Sequence, residues 1–282
     1  MVGAAVVQPV MVQPVMVQPV MVRAVMVRAV VVRPAAADSR LVGVTMLRLP
    51  GTYRAQGDTQ LLAGVLRRSG LARGRRVLDV ATGGGALAVA AARAGAAAVT
   101  AVDLSARAVL TARLNGLLHG VGLRVRRGDL FAPVRGERFD LVTANPPYVP
   151  AATERLPRHV IARSWDAGTD GRALIDRICD GVRDVLTDDG VVLVTHSEVA
   201  GEEATLRRFE AAGLDARVVE RRQEEFGPVM RGRAAMLAAR GLIAPGQTSE
   251  ELVVIEARLR RPAVPEPVAP RDLDGVAGGG VR

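Results

Sequence analysis

At 282 residues, 49% of them apolar, the chain has room for one α/β domain of ordinary size with tails, or for two small domains. Its single cysteine, Cys179, excludes a disulfide framework and a cysteine-rich zinc site. His119, His159 and His196 stand at no metal-ligand spacing, so no metal site is expected and a reducing, cytoplasmic setting fits. The formal charge of +9 does not by itself call for a nucleic-acid partner: all the basic residues are arginine, as GC-rich coding produces, and they are spread along the chain.

From residue 9 to residue 34 the chain repeats every five residues, reading PVMVQ, PVMVQ, PVMVR, AVMVR, AVVVR and then Pro34. That period fits no helix, and the recurring proline removes backbone donors, so the uncharged run over residues 1–22 is a poor membrane span. Without a basic stretch ahead of it, the run is also a poor signal peptide. Residues 1–45 are therefore expected to be a low-complexity segment, disordered or not natively translated, with Met46 as the native start. After Arg261, four prolines and Gly278-Gly279-Gly280 mark residues 262–282 as a disordered tail.

Between these ends, over residues 46–261, apolar runs alternate with helical patterns. This predicts an α/β domain whose seven-stranded, mostly parallel sheet is covered by helices on both faces. Strands are expected at Arg76 to Val80, Ala98 to Val102, Leu123 to Arg127, Phe139 to Ala144, Val191 to Thr195, Ala216 to Glu220 and Leu252 to Ala257. Helical stripes are read in Leu110, Leu114 and Leu117, in Ile175, Ile178, Val182 and Val185, and in Leu206, Phe209 and Ala212. Ser105 is expected to cap the helix that carries Leu110, Leu114 and Leu117, and Gly95 to stop the alanine-rich helix before it.

Four strand ends carry candidate chemistry. The first runs into Asp79-Val80-Ala81-Thr82-Gly83-Gly84-Gly85, where glycines let the backbone approach a ligand or simply tighten the turn. The second ends in Asp103-Leu104, where a carboxylate suits ribose hydroxyls. A dinucleotide would want G-x-G-x-x-G, and Asp79 would repel its pyrophosphate. An acid at that place suits a cationic amino-acid end instead, such as that of S-adenosylmethionine. Asp129-Leu130, after the third strand, is either a plain turn or an acceptor and apolar wall for adenine.

The fourth strand leads into Asn145-Pro146-Pro147-Tyr148. Two prolines remove two N–H donors and leave carbonyl oxygens, so the motif presents acceptors and suits an NH2 group, with Tyr148 stacking on its plane. Such chemistry needs alignment and polarisation of a weak nitrogen nucleophile, and no metal.

At these residues the chain resembles the HemK-type protein-glutamine methyltransferases, over roughly residues 46–258. The similarity includes the segment YRAQGDTQLL, Tyr53 to Leu62, and the segment Trp165-Asp166-Ala167-Gly168 with Asp170-Gly171-Arg172. The resemblance implies a Rossmann-like class I methyltransferase with S-adenosylmethionine as cofactor. It implies cofactor contacts from Thr59, Asp79, Ala81, Gly83, Asp103, Leu104, Asp129, Leu130 and Asn145, and a substrate-amide site of Asn145, Pro146, Pro147 and Tyr148. It also implies a protein substrate, the GGQ glutamine of a translation release factor, and a small activating subunit as some relatives require. Two departures stand out: Ala81 occupies a usual glycine position, and the helical N-terminal domain of the bacterial release-factor enzymes is missing. Adenine-N6 methylation of DNA and guanine-N2 methylation of ribosomal RNA stay open as alternatives, since both present a planar NH2.

Overall fold

A computed structural model describes residues 46–49, 56–153 and 165–260. The repeat and the tail expected over residues 1–45 and 262–282 lie outside these, as do residues 53–55 of the segment ahead of the core. The described chain opens with α1 (Gly57–Ser69) and then alternates β1 (Arg76–Val80), α2 (Ala86–Arg93), β2 (Ala98–Asp103), α3 (Ala106–Leu118), β3 (Leu123–Arg127) and β4 (Phe139–Ala144). It continues through α4 (Ala173–Gly181), β5 (Leu186–Ser197), α5 (Glu202–Ala211), β6 (Leu214–Glu225), α6 (Pro228–Ala239) and β7 (Ser249–Leu259).

The seven strands form one sheet in the order β3-β2-β1-β4-β5-β7-β6. All neighbours are parallel except at β7, which runs antiparallel to both β5 and β6. Alternation along β1 shows how both faces are filled. Val77 packs with Leu62, Leu66, Leu87 and Val109 under α1, α2 and α3, while Leu78 and Val80 pack with Ile175, Ile178 and Phe209 under α4 and α5. Burial on two faces is why these strands read as continuous apolar runs.

All seven expected strands form. β5, β6 and β7 run well beyond their apolar stretches because backbone pairing continues through charged residues, as at Gln223 opposite Glu251 and Glu224 opposite Glu250. Ser105 caps α3 by accepting from Ala108 N at 3.3 Å, and Gly95, in the left-handed region at φ 91°, follows the end of α2. The stripe through Ile175, Ile178, Val182 and Val185 is buried, although the α-helix ends at Gly181 and a 3-10 turn carries its last two members. Leu206, Phe209 and Ala212 likewise face the core.

The stripe expected on α3 is corrected. Leu110 and Leu117 are 50% and 79% exposed, and the helix buries Ala108, Val109, Thr111, Ala112, Asn115 and Gly116 instead. Close approach explains the inversion: a Cβ on Gly116 would stand 3.2 Å from Leu123, and one on Gly85 would stand 2.9 Å from the Ala112 Cβ, so small side chains must face inward. α6 has no counterpart among the expected elements, since it buries only Met230 and Leu237 and shows no extended stripe.

Candidate functional site

Strands β1 to β4 are mutually parallel, so their C-terminal ends share one edge of the sheet. The chain leaves β1 toward β2 on one side and later returns to place β4 on the other, which opens a crevice at the β1/β4 switch point. The glycine-rich turn, Asp103, Asp129 and Asn145 all follow strand ends at this edge.

The turn after β1 is folded tightly. Ala81 and Gly83 both have φ of 55°, and Thr82 N donates to Val102 O at 3.0 Å, which binds the turn to β2. For alanine this left-handed backbone costs about 1–2 kcal/mol, so the departure from glycine at position 81 is a strained position. Leu130 shares the feature with φ of 44°.

Asp79 lies beneath the turn and is fully buried. Its Oδ1 accepts from Thr143 Oγ1 at 2.8 Å, and its Oδ2 accepts from the Thr82 hydroxyl and from Ala88 N at 3.1 Å. Burial pushes the carboxyl from 3.8 up to about 6 in spite of these three donors, and the nearby Asp103 adds to the rise. Among the described residues no cation pairs with it. Asp103 accepts from Gly83 N and from Ser105 N, each at 2.8 Å, so it ties the glycine turn to the start of α3, and burial raises its carboxyl as well. A buried acid without a cation, a second acid beside an open glycine turn and no pyrophosphate-binding motif together fit a cationic nucleoside such as S-adenosylmethionine.

Leu104 is 52% exposed at the rim, while Leu130 is buried. Asp129 is exposed and ion-paired with Arg177 of α4 at 2.7 Å. Asn115 is fully buried and was not anticipated. Its amide donates to Gly84 O at 2.8 Å and exchanges two hydrogen bonds with the Leu47 backbone, pinning residues 46–49 over the cofactor turn.

At the end of β4 the two prolines halt the ladder, and two residues of α1 take hold of the motif. Asn145 Nδ2 donates to Thr59 Oγ1 at 2.9 Å, and the Tyr148 hydroxyl donates to Asp58 Oδ2 at 3.0 Å. Thr59 donates to Asp58 Oδ1 from its backbone N at 2.6 Å and from its hydroxyl at 3.2 Å. Asp58 and Thr59 are 3% and 4% exposed, so these bonds are sheltered from water. Thr59 was expected at the site. Asp58, beside it, was not.

Residues 165–171 brace the motif from the other side. Val149 N donates to Trp165 O at 2.8 Å and Ala167 N to Val149 O at 3.2 Å, while Asp166 pairs with Arg233 of α6 at 2.6 Å. Gly171, at φ 78°, lies so close to the Tyr148 carbonyl that a Cβ would overlap it. Arg172 turns away to hold Ala200 O, Gly201 O and Asp176, which is a structural task. Gly171→Ala is expected to cost about 2 kcal/mol in chemical unfolding, through positive φ and overlap. By displacing Tyr148 it should also lower kcat at least about tenfold. Wild-type kcat in this variant would show that Tyr148 needs no fixed backbone.

A family model described as Methyltransferase small domain matches residues 44–175. The chain is 29% identical over 188 residues to a Methanocaldococcus jannaschii protein described as a protein N5-glutamine methyltransferase, covering 67% of this chain and 93% of that one. It is 39% identical over 144 residues to the ribosomal protein uL3 glutamine methyltransferase of Burkholderia pseudomallei, covering 46% of each chain. Release factor glutamine methyltransferases stand among the relatives as well, and the chain spans 41–62% of the length of these bacterial relatives. Among solved structures, the E. cuniculi Mtq2-Trm112 complex, responsible for methylation of the eRF1 translation termination factor, matches with a TM-score of 0.53. At 24% identity, over 74% of this chain and 99% of that one, it shows the shared fold. With the switch-point crevice and its acids in place, these matches make the chain similar to the HemK-type protein-glutamine methyltransferases, class I enzymes that use S-adenosylmethionine.

Proposed function

We propose that this chain methylates the side-chain amide nitrogen of a glutamine in a protein, the GGQ glutamine of a translation release factor, in the cytoplasm. The catalytic unit in this reading is residues 46–261, with residues 1–45 and 262–282 outside the chemistry. The observation that carries it is Asn145-Pro146-Pro147-Tyr148 at the end of β4, held by α1 beside the acidic cofactor crevice. Release-factor, uL3 and eRF1 methylation among the relatives supports a protein amide over a nucleobase. The Trm112 subunit in one relative supports a small activating partner here.

Asp79 holds the cationic amino-acid end of the cofactor, assisted by Thr59. Asp103 and Leu104 take the ribose, Asp129 and Leu130 the adenine, and Ala81 and Gly83 leave the backbone open to the ligand. The bound cofactor supplies an electrophilic methyl on a sulfonium. The Asn145 side-chain oxygen and the Pro146 carbonyl each accept one hydrogen of the substrate NH2. This draws the nitrogen away from amide planarity and aims its lone pair along the line of transfer, and Tyr148 bounds the plane of the group. The proton leaves after transfer, so no strong base is needed. Among the described residues no cluster of three metal-ligating side chains and no helix long and apolar enough to cross a membrane is present.

Labelled cofactor, offered with the full chain to a release factor, to uL3, to DNA and to ribosomal RNA in parallel, tests the reading. Label is expected on protein, abolished when the acceptor glutamine is replaced by alanine. Label on nucleic acid alone would overturn the protein substrate.

A further inference from the structure

We infer that Asp58 is a positioning residue that acts through Thr59 to turn the Asn145 amide so that its oxygen, not its nitrogen, faces the substrate, while its second carboxylate oxygen pins Tyr148. The role given to that oxygen rests on the function proposed above; the orientation itself does not.

The two ends of an asparagine amide are nearly the same size, so shape alone does not choose between them, and hydrogen-bond partners must. Thr59 has one hydroxyl proton, and that proton points to Asp58 Oδ1 at 3.2 Å. A carboxylate accepts and does not donate, so the direction of this bond is set by Asp58. Thr59 Oγ1 is left as an acceptor toward Asn145, 2.9 Å away, and only the Nδ2 end of the amide can satisfy it. With Nδ2 committed to α1, Oδ1 is the end left for the crevice. A reversed amide would set two oxygens against each other, or would pull the Thr59 proton off the carboxylate, and either change forfeits a sheltered hydrogen bond.

The same carboxylate receives the Tyr148 hydroxyl at 3.0 Å on Oδ2. One side chain of α1 therefore sets both the acceptor and the aromatic wall, from 86 and 90 residues away in sequence counted from Thr59 and Asp58. Burial of Asp58 and Thr59 keeps water from substituting for either partner.

Thr59→Val and Thr59→Ser, Asp58→Ala and Asn145→Ala, singly and combined, provide the test. Thr59→Val removes the hydroxyl at nearly constant volume and is expected to lower kcat roughly 10- to 100-fold, with Thr59→Ser restoring most of the loss. In the Asn145→Ala background and at saturating cofactor, Thr59→Val should lower kcat little further, because the group it orients is gone, whereas Asp58→Ala should keep the part of its loss that runs through Tyr148. The second readout needs no substrate. The Asn145 side-chain amide, identified by NMR as the cross-peak absent from Asn145→Ala, should move toward a free-amide position in Thr59→Val and Asp58→Ala and stay in place in Thr59→Ser. An unmoved cross-peak, or Thr59→Val and Asn145→Ala losses that multiply independently, would overturn the relay. If no glutamine is methylated by the wild-type chain, the proposed function fails while the NMR comparison still decides the relay.

Discussion

Asn145→Ala is expected to lower kcat by about 10²–10³, equivalent to about 3–4 kcal/mol of transition-state stabilisation, while cofactor affinity falls far less. The nitrogen of an amide or a nucleobase amine is a poor nucleophile because its lone pair is delocalised, and the Asp58 carboxyl group beside the motif is already engaged by Thr59 and Tyr148. Rate enhancement must then come from geometry: two acceptors positioned in advance of the reaction and a wall that fixes the plane of the group. Asn145 supplies one acceptor, and its amide is immobilised by Thr59. Removing it leaves the Pro146 carbonyl alone, which cannot set the direction of the lone pair. The cofactor side should survive, because Asp79 and Asp103 are held by Thr82, Thr143, Gly83 and Ser105 rather than by Asn145. Single-turnover rates with a release factor, beside calorimetric titration of the cofactor, check both halves. Equal turnover by the variant would overturn the mechanism.

The second large effect concerns pH. Asp79 keeps its proton in the folded chain up to about pH 6, whereas the same group unfolded ionises near 3.8. The folded state therefore binds more protons between these values, and stability falls as pH rises through this window, levelling above it. The full difference is about 3 kcal/mol for this wholly buried group. In Asp79→Asn the contribution disappears, so urea midpoints of wild type and variant should diverge between pH 4 and pH 7, with the variant gaining relative stability at the higher pH. Parallel pH profiles would show that Asp79 is already ionised at low pH. Cofactor affinity should run the other way. A cation favours the ionised carboxyl, so binding near pH 6 should release a proton, visible as a dependence of the calorimetric heat on buffer ionisation. Asp79→Asn should remove that release.

The frame of this fold was legible because parallel strands buried on both faces leave continuous apolar runs, and because chemistry sits where those runs stop. Asp79, Asp103, Asp129 and Asn145 could be placed on one edge from strand ends alone. What spacing does not encode is which way a side chain turns once there. Asp79 reads as a ligand-facing acid, and spacing gives no sign of the three protein donors that also hold its carboxyl group. On α3 the leucines gave the stronger periodic signal, but the helix packs close to β3 and to Gly85, so size and not hydropathy decided which face turned inward. Asp58 left no signal of its own, because its partner Tyr148 is 90 residues distant and nothing local requires the pairing. Asn115 escaped for the same reason, its contact with Leu47 spanning 68 residues.

The position of β7 between β5 and β6 bears on how the chain is made. β6 emerges from the ribosome first but has no sheet neighbour until β7, which ends about 34 residues later, has been synthesised and inserted. At roughly 5–20 residues per second this is an interval of about 2–7 s in which β5 presents an open edge and β6 has no sheet partner. Premature termination anywhere in the interval removes two strands from the sheet rather than one. The unpaired backbone edge of β5 and the Met230 and Leu237 side chains of α6 would then be available for association, so this half of the sheet is where a folding chain depends most on being completed quickly.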